Sequence, residues 1–305
     1  AAMHHLALRQ GVLLEDLLAA YQAAISHRPV RLPRKTSSLA EWTQALHRRI
    51  DDEWQREELP YWQNELAGVA LCQPQELDVP ANYEAKDIDQ RSVTRLVSRE
   101  VTERLVRTIA PQLDLGMQDI VLAGFAAAFR DWSQQSELVL NTCGVGRDKL
   151  FEEINLTRTV GELNTVFPLR LPLPPGDLLP SVSSKLHGVP AKGLHYGMLR
   201  YLATHDELRH APEPVVFFNY VSRIDTALGD ALGARVSMAP AEIRSSHPEN
   251  RACYRLYAEA SIYHGCLELD LAFDSQRFTA ESAERLLADW GQQLEALARR
   301  QPLAA

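Results

Sequence analysis

Two hydrophobic periods alternate along this chain, and each predicts a different kind of element. Leu13, Leu14, Leu17, Leu18 and Tyr21 recur at helical spacing after Gly11. A connector with Pro29 and Pro33 follows, and Thr36-Ser37-Ser38 then precedes a second stripe of Leu39, Trp42, Leu46 and Ile50. Hydroxyl side chains just ahead of an apolar stripe predict a helix N-cap. Val93 to Val97 predicts a short strand. From Thr102, the positions Leu105, Val106, Ile109 and Leu113 are helical in spacing, with Gly116 as the expected stop. Ile120 to Phe129 is apolar nearly all round, which predicts a buried helix.

Strand signals dominate the second half. Leu138 to Leu140 reads as a buried strand running into Thr142-Cys143-Gly144-Val145-Gly146-Arg147, and Val215 to Tyr220 as another. Tyr254, Leu256, Ala258, Ala260 and Ile262 alternate with more polar neighbours; after His264-Gly265, so do Leu267, Leu269, Leu271 and Phe273. That predicts a hairpin with one buried face. Ala283, Leu286, Leu287, Trp290, Leu294 and Leu297 form a last amphipathic helix, capped by Thr279. Pro172 to Pro180 is expected at the surface, because proline cannot donate a ladder hydrogen bond. The pattern is mixed α/β without repeats, and residues 93–298 are expected to form a compact lobe on a largely antiparallel or mixed sheet.

Composition narrows the class. A length of 305 residues suggests about two domains or one large one. An apolar fraction of 46% with 24% charged residues is ordinary for a globular protein and excludes disorder and collagen-like repetition. Forty acidic residues against thirty-two basic ones leave a net charge of -8, the wrong sign for neutralising phosphates, so no nucleic-acid partner is expected. The longest run without a charged side chain is eleven residues, Leu17 to His27, too short for a bilayer span of about twenty, so no membrane partner is expected either. Cys72, Cys143, Cys253 and Cys266 include no C-x-x-C pair and read as the reduced thiols of a cytoplasmic protein. With no G-x-G-x-x-G, phosphate loop or H-E-x-x-H, neither a bound nucleotide nor a metal is expected. No signal peptide is visible, and the opening Ala1-Ala2-Met3-His4-His5 is expected to be the interior of a longer protein.

Two segments offer chemistry. On a strand, His4 and His5 would point to opposite faces, so one imidazole can anchor the fold while the other faces a cleft. The same pair also fits an unremarkable chain end. Thr142 to Asp148 carries two glycines after a buried strand, which permits close backbone approach. Cys143 reads as a structural thiol, since nothing local lowers its pKa. Arg147 fits either a buried carboxylate's partner or a solvated charge.

Taken in order, the motifs resemble the condensation superfamily of nonribosomal peptide synthetases. His4-His5-Leu-Ala-Leu is similar to the HHxxxDG motif, followed by Leu-Leu-Glu-Asp-Leu at 13–17. Leu32 to Ser38 with Trp42, and the Tyr61-Trp62 pair, also match. The epimerization type is the best match within the superfamily. Its signs are Gly146-Arg147-Asp148, Arg158-Thr159-Val160-Gly161 with Phe167-Pro168, Lys192 to Gly197 with Leu199-Arg200-Tyr201, and Phe218-Asn219-Tyr220.

The resemblance implies two chloramphenicol-acetyltransferase-like lobes with a tunnel between them. Each lobe is α/β, a mixed or antiparallel sheet with flanking helices. Residues 1–90 would be the HH-motif strand end, helix and linker joining an absent N-terminal lobe; residues 91–305 would be the C-terminal lobe. No cofactor is bound directly: a peptidyl carrier protein presents the substrate on phosphopantetheine, and neighbouring synthetase domains are the other partners. His5 is the implied catalytic residue, with His4, Cys143, Arg147, Glu162, Asn219 and Tyr220 near the cleft.

The sequence departs from the family in its site. The Asp-Gly after the histidines is missing, since Leu8 runs into Arg9-Gln10-Gly11. A true deletion would leave Arg147 without its expected carboxylate. The Glu-Gly-His-Gly-Arg-Glu of epimerization domains reads Cys143-Gly144-Val145-Gly146-Arg147-Asp148, so the acid/base glutamate has become Cys143. Glu162 is the nearest replacement in sequence. The implied function is a condensation-superfamily domain acting on carrier-bound aminoacyl or peptidyl thioesters, epimerization-like but lacking the usual glutamate. The alternatives are a condensation domain forming an amide or ester bond, and a degenerate domain that binds a carrier or partner. With a thiol in the glutamate's place, weak or no epimerisation is expected.

Overall fold

The computed structural model describes residues 7–50, 53–69, 74, 77–80, 82–147, 150–203, 205–221 and 247–300. His4, His5, Cys72 and Asp148 lie outside these residues. Six strands build one mixed sheet: β1 (Gln90–Val97), β2 (Glu137–Gly144), β3 (Thr165–Pro172), β4 (Val216–Val221), β5 (Leu256–Tyr263) and β6 (Cys266–Asp274). Their spatial order is β1-β6-β5-β4-β2-β3. β4 runs parallel to both β2 and β5, and the outer pairings are antiparallel. This is the mixed α/β lobe that the sequence pattern predicts.

Two long helices cover one face, α6 (Met117–Ser133) and α10 (Ala280–Ala298). Residues 120–129 of α6 are all buried, as an all-round apolar helix must be. Phe125 meets Trp290 edge to face at 5.2 Å and Phe218 of β4 at 5.8 Å. The Trp290 indole donates to the Val121 carbonyl at 3.1 Å, so its one polar group is satisfied inside the core. The two helices approach closely at Gly124, where a Cβ would stand 2.9 Å from Leu294.

The remaining helices frame the sheet's ends. α1 (Ala7–Ile25) starts ahead of Gly11 and encloses it. Its stripe of Leu13, Leu17, Tyr21 and Ile25 lies more than half exposed. α2 (Leu39–Arg48) begins at the predicted hydroxyl cluster: Ser38 accepts from the Glu41 amide, and the Glu41 carboxylate accepts from the Ser38 amide. α3 (Trp54–Leu66) buries Trp62 in the main core. α4 (Arg99–Arg104) continues through a π-turn (Leu105–Ile109) into α5 (Ala110–Gln112). Gly116 is therefore not the stop of that helix. The turn closes earlier, at Asp114 with φ 53°, and Gly116 instead caps α6, its amide donating to Asp119. α7 (Leu179–His187), α8 (Leu194–Gly197) and α9 (Asp206–Arg209) fill the connection from β3 to β4.

Trp290→Ala should destabilise the lobe by roughly 3–5 kcal/mol, because it leaves a large cavity between α6, α10 and β4. Urea unfolding with an unchanged m-value checks this.

Candidate active site on the second face of the sheet

Alternation along the strands assigns every side chain to one of two faces. Leu140, Phe218 and Ala258 point at the helices; Asn141, Cys143, Phe217, Asn219, Tyr257 and Glu259 point the other way. The register brings the second set together across three strands. Asn141 lies beside Phe217 and Phe217 beside Tyr257; further along, Asn219 lies beside Glu259. Cys143 stands one residue past the last paired position of β2 and β4, next to the level of Asn219.

Glu259 is 4% exposed, and its carboxylate is held rather than solvated. Asn219 Nδ2 donates to Glu259 Oε2 at 3.1 Å, and the Tyr257 hydroxyl donates to the same oxygen at 3.2 Å. Burial and then the neighbouring Glu259 charge push the Cys143 thiol up to about 12. Burial and Glu259 also raise the Tyr257 phenol. So raised, the thiol stays protonated at pH 7, which disfavours it as an acid/base there.

A second polar chain runs beside the first. Arg200, buried just past α8, donates to the Tyr196 hydroxyl at 3.0 Å, to the Ala211 carbonyl at 3.0 Å and to Glu213 at 2.9 Å. Asn141 Nδ2 in turn donates to Glu213 at 3.0 Å and to the Tyr254 hydroxyl at 3.2 Å. These residues flank a cavity of about 570 Å³ against the β3 edge, walled by Trp42, Leu163, Leu194 and Met198.

The sequence-predicted site residues divide among these places. Cys143 and Asn219 fall in one cluster. Glu162 lies on the cavity wall with Asn141 and Tyr254. Tyr220 turns to the opposite face and packs against the core, by the same alternation that turns Asn219 outward. Arg147 lines a separate cavity of about 450 Å³ with Trp42 and Phe151, and its guanidinium donates to the Leu156 carbonyl at 2.6 Å, so it is not left bare. The acidic pair of the Leu-Leu-Glu-Asp-Leu segment engages Arg158 instead, at 3.1 Å from Glu15 and 2.5 Å from Asp16. Within the Lys192 to Gly197 motif, Gly193 adopts φ 82° and a Cβ there would strike the Phe167 ring, while His195 stacks on Trp54 and pairs with Glu58 at 2.7 Å.

Sequence reasoning misses Glu259, Tyr257, Asn141 and Glu213. Glu259 belongs to the polar phase of β5, which reads as solvent-facing unless the second face of the sheet is also covered. The sequence pattern puts Tyr254 in the apolar phase. It leaves that phase because the Arg255 and Leu256 amides both donate to the Val215 carbonyl, at 2.8 and 3.2 Å, the pattern of a bulge. Tyr254 then packs on Phe217 at 4.8 Å.

Comparison with known proteins gives the chain a family. The condensation-domain family model matches residues 1–303, and the chain belongs to that family. It is 27% identical over 315 residues to tyrocidine synthase 1 of Brevibacillus parabrevis, covering 97% of this chain and 28% of that one. It is 27% identical over 312 residues to gramicidin S synthase 1 of Brevibacillus brevis, again covering 97% of this chain and 28% of that one. The chain thus spans a small part of much longer synthetases. Among solved structures, the epimerization domain from the third module of tyrocidine synthetase B superposes with a TM-score of 0.85 at 24% identity, covering 96% of this chain and 67% of that one. The first condensation domain of the CDA synthetase superposes at 0.65 and 16%, covering 97% and 61%. Among the described residues no helix is long and apolar enough to cross a membrane.

The raised thiol makes a direct prediction. Alkylation of Cys143 by iodoacetamide should be slow at pH 7–8 and keep accelerating with pH beyond 10, because the thiolate fraction is still rising there. Exposed Cys253 should label before Cys143. Site-resolved mass spectrometry of the alkylated protein reads both.

Proposed function

We propose that this chain is the C-terminal part of an epimerization-type domain of a nonribosomal peptide synthetase. In this reading residues 91–305 are the second lobe and residues 1–90 lead in from the first. The substrate is an aminoacyl or peptidyl thioester on the phosphopantetheine of a peptidyl carrier protein, and the chain holds no cofactor of its own. His5 is one acid/base. Glu259 is the other, in place of the glutamate that Cys143 has displaced. The observation that carries the reading is the held, buried Glu259 carboxylate on the same face of the sheet as Cys143, with β4 between them. The higher TM-score to an epimerization domain than to a condensation domain supports it.

The chemistry needs one acid/base on each face of Cα. One group takes the α-proton; the C–H electron pair delocalises into the thioester carbonyl as an enolate. The conjugate acid opposite returns a proton to the other face. Solvent exchange then resets both groups. Each positioned group contributes about 10²–10⁴-fold. A second reading, amide or ester bond formation with His5 alone, is favoured by Cys143 standing where the glutamate is expected.

The test uses the complete domain and a carrier loaded with an L-aminoacyl thioester in deuterated water. Deuterium should appear at Cα. Glu259→Gln should slow uptake about 100-fold or more, His5→Ala should abolish it, and Cys143→Ala should leave it unchanged. Uptake untouched by Glu259→Gln would remove Glu259 from the reaction and make Glu162 the next residue to vary. Bond formation without deuterium uptake would establish the second reading.

A further inference from the structure

Polar contacts, more than packing, tie α1 to the rest of the molecule. Among its described side chains none is buried, and Leu13, Leu17, Tyr21 and Ile25 are more than half exposed. Arg158, the first residue of the Arg158-Thr159-Val160-Gly161 motif, supplies the tie. Its guanidinium divides between two adjacent carboxylates of α1, Glu15 at 3.1 Å and Asp16 at 2.5 Å. The arginine is itself anchored. Its amide donates to the Thr36 hydroxyl at 3.2 Å, and the next hydroxyl, Thr159, donates to the Ser37 carbonyl at 2.5 Å. The Ser37 amide donates to the Asn155 carbonyl at 2.9 Å, and the Asn155 amide donates to the Ser37 hydroxyl at 3.0 Å. One polar seam thus joins α1, the segment leading into α2, and the connection from β2 to β3.

We infer that Arg158 is a positioning residue: through Glu15 and Asp16 it sets the place of α1, and with it His5, relative to the sheet that carries Glu259. The inference rests on the proposed function for the role of His5. Chain length makes the coupling tight. His5 stands two residues ahead of Ala7 in sequence, a reach of about 7 Å at most. Ala7 and Asp16 are separated by about 14 Å of helix axis, so a tilt of about 5° at Asp16 moves the start of α1 by about 1 Å. A misplacement of that size can cost about 10²-fold in rate. The two carboxylates also lie about 100° apart around the helix, so gripping both resists rotation as well as tilt. Two acid/bases on separate elements must meet one Cα from opposite sides, and this contact is where the elements are registered.

The test uses the complete domain and three variants: Arg158→Ala, Arg158→Lys, and Arg158→Asp combined with Asp16→Arg. Two quantities are read. One is amide hydrogen exchange over residues 7–25; the other is kcat and KM for the loaded carrier, by deuterium uptake or bond formation. Arg158→Ala should speed exchange in α1 and leave β2, β4 and β5 unchanged. It should lower kcat about tenfold or more, with KM for the carrier within about twofold. Arg158→Lys should fall between, because an ammonium lacks the fork that grips two carboxylates. The exchanged pair should recover most of kcat, while either reversal alone should not. Because the contact is partly exposed, thermal midpoints should barely move. Unchanged exchange in α1 of Arg158→Ala would overturn the inference, as would a loss of kcat that the exchanged pair fails to recover, or a loss carried wholly by KM. Faster exchange in α1 of Arg158→Ala, with no turnover by the unmodified domain, would count against the proposed reaction alone.

Discussion

The pairing of β4 between β2 and β5 is the constraint on which the site depends. β4 contributes Phe218 to the helix-packed face and Asn219 to the opposite one, and a slip of one residue would exchange them. The helix side forbids that slip. Phe218 is fully buried against Phe125 and Trp290, and putting Asn219 in its place would bury an amide among rings with no partner. Apolar packing on one face thus sets the position of polar chemistry on the other. Glu259 and Asn219 meet because Ala258 and Phe218 meet one residue earlier.

The second face is polar but not loosely so. A carboxylate drawn out of water is costly unless it is bonded, and both acidic groups there are. Buried Glu259 takes two side-chain donors, and the partly exposed Glu213 takes Arg200 and Asn141. The same burial acts in opposite senses on function. It keeps the Cys143 thiol protonated, while two donors hold one Glu259 oxygen in place. In the proposed reading, a thiol and a carboxylate two strands apart are therefore assigned different work by their surroundings rather than by their side-chain types.

Much of this is legible in the sequence, and the illegible part has one cause. The periodicity locates five of the six strands, all but β3, together with the buried α6, the Ser38 and Thr279 caps and the hairpin at His264-Gly265, since each is a local signal repeated over several residues. Motifs in a fixed order carry the resemblance to the superfamily. What periodicity does not show is which polar residues of different strands share a face and a level. Glu259 lies over a hundred positions from Cys143, and Glu162, close in sequence, reaches the cavity wall instead. The bulge that re-aims Tyr254 is invisible for a related reason: its phase shift depends on the Val215 carbonyl of a neighbouring segment.

In the proposed reading, the acid/base lost at Cys143 is moved sideways rather than deleted. β2 and β5 are two strand spacings apart, about 10 Å, with β4 between them. A glutamate on β2 would act from above Cys143; Glu259 acts from the β5 side of Asn219. With Glu259 as the acid/base, the reacting carbon has to lie over β4 rather than over β2. The cavity containing Asn141 opens on the other flank, toward β3 and α2. In that reading the α-proton of a substrate whose Cα sits over Asn219 faces Glu259 on β5, and the β2 side of the site supplies wall rather than acid or base.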